Sequence, residues 1–281
     1  MAGFFDYSKP GKGISKEDVD KSGFALYFDI LLRRIWKMIT SNALYIITSI
    51  PAILIGIFIS FYLIGNIISF AGIALDENSY RLMRFLLLPF TALILQVTGS
   101  GPASVAMNYI MGKYVKDTHV WVWSDFIDNI KHNFKQGMAV YIINTVIFSI
   151  LSIAYLFYTY VMTGLIAQVL KAWIIIFAVV FFIMQFYVYR LVAEFELKIK
   201  HIYKNALILV IAGLKWNILS VIIVGGLMFL LGYAIFAGKI MVGIAALLLI
   251  YFSLVTFTQL FVTNNVVNKY LLEPALENEN E

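Results

Sequence analysis

Charge is what this chain has least of. Charged residues fill 13% of its 281 positions and hydrophobic ones 62%, whereas soluble domains run at roughly a quarter charged and half apolar. A soluble fold of this length still needs polar residues over its surface. The middle of the chain has almost none, and lipid tails would cover it instead. Cysteine is absent, which excludes disulfides, thiolate metal sites and a cysteine nucleophile, and says nothing about compartment. The three histidines, His119, His132 and His201, stand apart without H-E-x-x-H or similar ligand spacing. No metal site, cofactor or catalytic constellation is therefore expected, and the chain reads as a non-enzyme. Pro10-Gly11-Lys12-Gly13 falls short of a phosphate loop. G-x-x-x-x-G-K-[ST] needs glycine where Asp6 stands and serine or threonine where Gly13 stands. The charged first 42 residues lack a compact apolar core before a small-residue cleavage site, so no removable signal peptide is expected.

What the chain does have is long uncharged apolar runs. A helix needs about 20 residues to cross a hydrocarbon layer of about 30 Å. Runs of that order lie at 43–72, 85–111, 138–167, 172–189, 217–237 and 240–262, none with Asp, Glu, Lys or Arg. The expectation is an all-α integral membrane protein of about six spans. It has a cytoplasmic N-terminal segment (1–42), a transmembrane domain (43–268) and an acidic tail (269–281). Seventeen of the 21 lysines and arginines fall in the N-terminal segment, the connectors 113–135 and 190–215, and the tail. Only Arg81, Arg84, Lys171 and Lys239 fall on the other side. This bias puts both termini in the cytoplasm. The net charge of +5 is spread in short blocks between apolar runs, which suits anionic headgroups rather than nucleic acid.

The cytoplasmic connectors are amphipathic. After an S-x-x-D start at Ser15 and Asp18, Phe24, Tyr27, Phe28, Leu31, Ile35 and Met38 recur at helical spacing, opposite Asp29, Arg33 and Lys37. Ser124 and Asp125 open a second such stretch, with Phe126, Ile130 and Phe134 on one side, Lys131 and Lys135 on the other, and Trp121 and Trp123 ahead of it. Each segment either lies in the headgroup layer or packs as a linker on the bundle. A weak repeat accompanies them: Asn42, Gln136 and Asn217 stand at the start of the first, third and fifth spans. This suggests three helical hairpins, each preceded by an amphipathic cytoplasmic segment.

Within the spans the densest polar stretch is Gln96, Thr98, Gly99, Ser100, Gly101, Pro102, Ser104 and Asn108. Glycine and proline there predict a broken helix. At membrane depth a break either lines a substrate path or permits close packing. Asn66, Asn144, Ser149, Ser152, Gln185, Thr256, Thr258 and Gln259 are further candidates for the same interior. No ionisable residue lies mid-span, which argues against proton coupling. Arg190 with Glu194, Glu194 with Lys198, and Glu196 with Lys200 are spaced as solvated i,i+4 pairs at the inner end of the fourth span.

The blocks Asn42-Ala43-Leu44-Tyr45 with Pro51, Gly101-Pro102-Ala103, Trp123-Ser124-Asp125-Phe126, Asn133-Phe134-Lys135-Gln136, Phe195-Glu196-Leu197 and Tyr203-Lys204-Asn205-Ala206-Leu207 carry a resemblance. On these residues, from about Phe24 to Leu214, the chain resembles the YesL family of bacterial membrane proteins, a domain of unknown function. Genes of that family tend to neighbour ABC importers for oligosaccharides. The resemblance thus implies a plasma-membrane accessory or assembly subunit for carbohydrate import, with permease or ATPase subunits as partners. Trp123, Asp125, Phe126, Lys135, Glu196, Lys200 and Lys204 are the candidate docking residues. The stretch 203–218 lacks the E-A-A-x-x-x-G spacing of a permease coupling loop, so a standard permease subunit is not expected. A self-contained facilitator of a small neutral solute, or a membrane-embedded sensor or scaffold, remain alternatives.

Overall fold

The computed structural model describes residues 23–70, 76, 77, 91, 94, 95 and 97–273, and the regular structure among them is entirely helical. In chain order the helices are α1 (Gly23–Thr48), α2 (Ile50–Phe70), α3 (Pro102–Val115), α4 (Val122–His132) and α5 (Phe134–Leu156). α6 (Leu165–Glu194), α7 (Ile199–Ala212), α8 (Leu214–Phe236) and α9 (Ile240–Leu272) follow. α5 ends in a wide π-helical turn at Phe157–Val161, and α9 contains two, at Leu247–Tyr251 and Asn268–Leu272.

Among the described residues four helices are long and apolar enough to cross a bilayer: Phe134–Val161, Leu165–Glu194, Leu214–Ala234 and Ile240–Leu272. The pair Gly23–Thr48 and Ile50–Asn66, bent by 68° across Ser49, makes up to five. Only 11% of the most apolar stretch of α6 is buried by protein. So apolar a surface is stable only among lipid tails, and the chain is membrane-embedded.

The described residues up to Ile35 belong to one compact unit and those from Trp36 onward to a second. In the first, the start of α1 carries an Asp29–Arg33 pair at 3.4 Å, one turn apart on its charged face. The second unit holds the site. At its centre is α3, buried along nearly its whole length and packed against α4, α5, α6 and α9. Two small residues make this possible. Pro102 opens α3, and Gly137 of α5 lies so close that a Cβ there would stand 2.9 Å from the Pro102 backbone.

Several boundaries differ from the sequence reading. The third and fourth runs are joined at 162–164, not between 167 and 172, because Gly164 adopts φ +94° and breaks the helix there. Lys171 therefore lies within α6 rather than in the turn. A long side chain can keep its ammonium at the interface from such a position, so charge was a poor guide to the boundary. The second run, 85–111, falls partly outside the described residues, as do Arg81, Arg84, Gln96, the Ser15–Asp18 start signal and the acidic end beyond Glu273.

Candidate functional site

The helix that ends at Thr98 and the start of α3 are separated by Gly99, Ser100 and Gly101. Gly99 has φ +72° and Gly101 φ +65°, a region nearly reserved for glycine. Gly99 also leaves no room for a side chain, since a Cβ would stand 2.2 Å from Cε2 of Tyr189. Breaking a helix in a membrane frees backbone groups that water cannot reach, and side chains must take them. The Thr98 carbonyl accepts from the Tyr189 hydroxyl at 2.6 Å and from Asn144 Nδ2 at 3.2 Å. The Ser100 N–H donates to Ser104 Oγ at 2.7 Å, and the Tyr45 hydroxyl meets Ser100 Oγ at 2.8 Å.

These bonds extend into a connected network. Asn144 Nδ2 also donates to Gln185 Oε1 at 2.8 Å, and Asn144 Oδ1 accepts from the Tyr203 hydroxyl at 2.7 Å. Burial pushes the Tyr203 phenol well above its usual range, so it stays a donor at neutral pH. Asn108 donates to the Ser104 carbonyl at 2.8 Å, and its Oδ1 has no protein partner. A cavity of about 30 Å³ lies here, bounded by Tyr45, Ser104, Asn108, Gln185, Tyr189 and Gln259 among others. A water needs roughly 10–15 Å³ on this measure, so the space is too small for a sugar. Of the sequence candidates, Thr98, Gly99, Gly101, Pro102 and Asn108 converge on this network. Tyr45, Tyr189 and Tyr203, which complete it, were not singled out for it. Their signal was available: a buried tyrosine hydroxyl demands a partner.

The three repeated amides prove to share a task. Asn42 Nδ2 donates to the carbonyls of Leu247 and Leu248 at 2.9 and 2.8 Å, and Asn42 Oδ1 accepts from the Ser253 N–H at 3.1 Å. These are backbone groups that the π-helical turn of α9 displaces, so the side-chain amide stands in for a peptide group of that helix. Gln136 Nε2 donates to the Leu197 carbonyl in the non-helical link between α6 and α7. Asn217 Nδ2 donates to the carbonyls of Leu209 and Val210 at the end of α7, at 3.2 and 2.9 Å. Each amide satisfies carbonyls released where another segment stops being regular helix. Replacing Asn42 by leucine is expected to lower stability by about 2–3 kcal/mol, because Leu248 O and Ser253 N lose their partner in a dry interior. Chemical unfolding in detergent measures this. Thr40→Ala, which removes only an exposed bond to the Trp36 carbonyl, should change little.

The C-terminal end of α6 is not solvated as its spacing suggested. Arg190 is 1% exposed and Glu194 11%, with Arg190 Nε 3.3 Å from Glu194 Oε1. The pair is close, although neither Nε nor Nη1 of Arg190 finds an aligned hydrogen bond. Arg190 Nη2 donates to Asn264 Oδ1 of α9 at 2.8 Å, and Lys116, just past α3, pairs with Glu194 Oε2 at 3.1 Å. One carboxylate and one guanidinium thus tie three elements together. Phe195 is extended, so α6 ends before Glu194 and Lys198, or Glu196 and Lys200, can share a helical face.

The candidate docking residues are not equally available. Phe126 is fully buried, and Asp125 accepts the Trp121 N–H at 2.9 Å, closing the first turn of α4. Trp123, Lys135, Glu196, Lys200 and Lys204 are exposed. No cluster of three or more His, Asp or Glu suited to a metal occurs among the described residues. No curated protein and no solved structure matches the chain. Residues 81–155, which include the helix break, α3, α4 and Asn144, match the model of a family described as "Protein of unknown function, DUF624".

Proposed function

We propose that this chain is a multi-pass, non-enzymatic subunit that associates laterally with a carbohydrate ABC importer in a bacterial plasma membrane. In this reading it has six spans and both ends in the cytoplasm. The carrying observation is the closed interior. The helix break, the natural place for a solute path, is filled by Tyr45, Asn144, Gln185 and Tyr189, and leaves about 30 Å³. A break with no room for a sugar favours a role through contacts with a partner over conduction along that route. The resemblance to the YesL family supplies the partner class, and the exposed Trp123, Lys135, Glu196, Lys200 and Lys204 supply an accessible surface. In this reading the second span is the broken one. α3 alone, with 14 residues, reaches about 21 Å, short of the roughly 30 Å needed. In the six-span reading the apolar run from 85 onward supplies the remaining length.

Purification of tagged protein in a mild detergent, from cells grown on an inducing oligosaccharide, is expected to bring down importer permease or ATPase subunits. Mass spectrometry identifies them. Absence of any importer subunit under every growth condition would sink the proposal, as would uptake of a neutral sugar by the purified chain alone in liposomes without ATP.

A further inference from the structure

We infer that α5 and α6 form a binding slot for one acyl chain of an anionic phospholipid, with Lys171 receiving the phosphate. This inference is independent of the proposed function. A cavity of about 380 Å³ lies between these helices, apart from the small polar cavity at the helix break. It falls in the range of ligand sites, roughly 300–1,000 Å³. Its wall on α5 is Phe148, Leu151, Ser152, Tyr155, Leu156 and Thr159, which recur at three- and four-residue intervals along one helical face. On α6 the wall is Ile174, Ile175, Ala178, Phe181 and Phe182, again one face, and Leu63 of α2, Val97 and Tyr160 complete the lining. From Ile174 to Phe182 the slot runs about 12 Å along the helix axis. A groove that is long, apolar and parallel to the bilayer normal has the shape of a lipid tail.

The chemistry at one end identifies the lipid. Lys171 precedes Ile174 and Ile175 by three and four residues in sequence, so it stands on the slot face one turn nearer the Gly164 turn. It is half-buried, whereas Ala172 and Trp173 beside it are exposed. The antiparallel register of the two helices is set by the Asn144–Gln185 bond. Tyr158 stands as far beyond Asn144 as Lys171 stands before Gln185, which levels the ammonium with Tyr158 and Thr159. The floor is closed by Phe181, which is 7% exposed. A tail therefore enters with its headgroup towards the Gly164 turn, where the Lys171 ammonium and the Tyr155 hydroxyl meet phosphate and glycerol oxygens; the Thr159 hydroxyl already donates to the Tyr155 carbonyl at 2.7 Å. That end is the one the charge bias assigns to the exterior. Lys171 and Lys239 are its only cations outside 81–84. An ammonium above an apolar slot selects a negative headgroup over a zwitterionic one.

Native mass spectrometry tests this on protein stripped of lipid in mild detergent and then offered equal phosphatidylglycerol and phosphatidylcholine. The expected result is one retained phosphatidylglycerol per chain, preferred about fivefold. Lys171→Gln should reduce phosphatidylglycerol retention to the phosphatidylcholine level without abolishing tail binding. Ala178→Trp, which fills the slot, should remove both lipids. Equal retention of the two lipids by the unaltered protein overturns the inference and needs no variant. So does undiminished retention in Ala178→Trp protein that melts normally. Retention of neither lipid overturns it as well.

Discussion

Gly99→Ala is expected to destabilise the protein by about 3–5 kcal/mol. Two separate effects add. The backbone at Gly99 sits at φ +72°, where an L-residue bears a strain of roughly 1–3 kcal/mol. The new methyl would also stand 2.2 to 2.5 Å from the ring and hydroxyl of Tyr189, and overpacking of this kind adds roughly 1–3 kcal/mol. Tyr189 has little freedom to retreat, since its hydroxyl is bonded to the Thr98 carbonyl and the residue is buried. If it does retreat, the carbonyl at the break loses its shorter hydrogen bond. Thermal or urea unfolding in detergent, followed by helical circular dichroism, reads the loss. Gly225→Ala and Gly226→Ala in α8, where an added Cβ meets nothing within 4 Å, should match or slightly exceed the parent, because alanine favours helix. A Gly99→Ala protein within about 0.5 kcal/mol of the parent would show that the break is softer than its geometry implies.

The break at 99–101 is legible before any coordinates, because glycine and proline change what the backbone can do and leave a mark in composition. The wide turn at Leu247–Tyr251 is not. Its residues, Leu-Leu-Leu-Ile-Tyr, are ordinary helix formers, and what holds the turn open is the amide of Asn42, two hundred residues earlier in the chain. Asn42, Gln136 and Asn217 could be picked out as a recurring position, but a side chain's spacing does not reveal which distant carbonyl it will cap. Charge misled twice, for a common reason. Lys171 was taken to mark a turn and Arg190 a wet helix end, as though ionised groups always sit in water. A long side chain can reach the interface from inside a helix. A guanidinium can also be held dry when a carboxylate and an amide meet it. Burial depends on neighbours from other helices, and one sequence does not state them.

Arg190 carries the second large expected effect. Arg190→Met should cost about 3–5 kcal/mol, the usual result of removing one partner from a buried ion pair. Glu194 would keep only Lys116, whose side chain is 40% exposed, and Asn264 Oδ1 would lose its donor. The cost comes mainly from the stranded carboxylate rather than from a lost attraction, and this makes a specific forecast. Arg190→Met combined with Glu194→Gln should be less damaging than Arg190→Met alone, a coupling of roughly 1–3 kcal/mol. Arg190→Lys should not restore the parent, because an ammonium is a point charge and cannot reproduce the planar fork that faces Glu194 and Asn264 together. Lys116→Gln should cost at most about 1 kcal/mol, since the exposed arm of the network is screened by water and salt. Unfolding free energies of the parent, these four proteins and Glu194→Gln, measured at low and high salt, separate the contributions. If the double variant is no more stable than Arg190→Met, the stranded charge is not the source of the loss, and the three-way tie between α6, α9 and the end of α3 is held by packing alone.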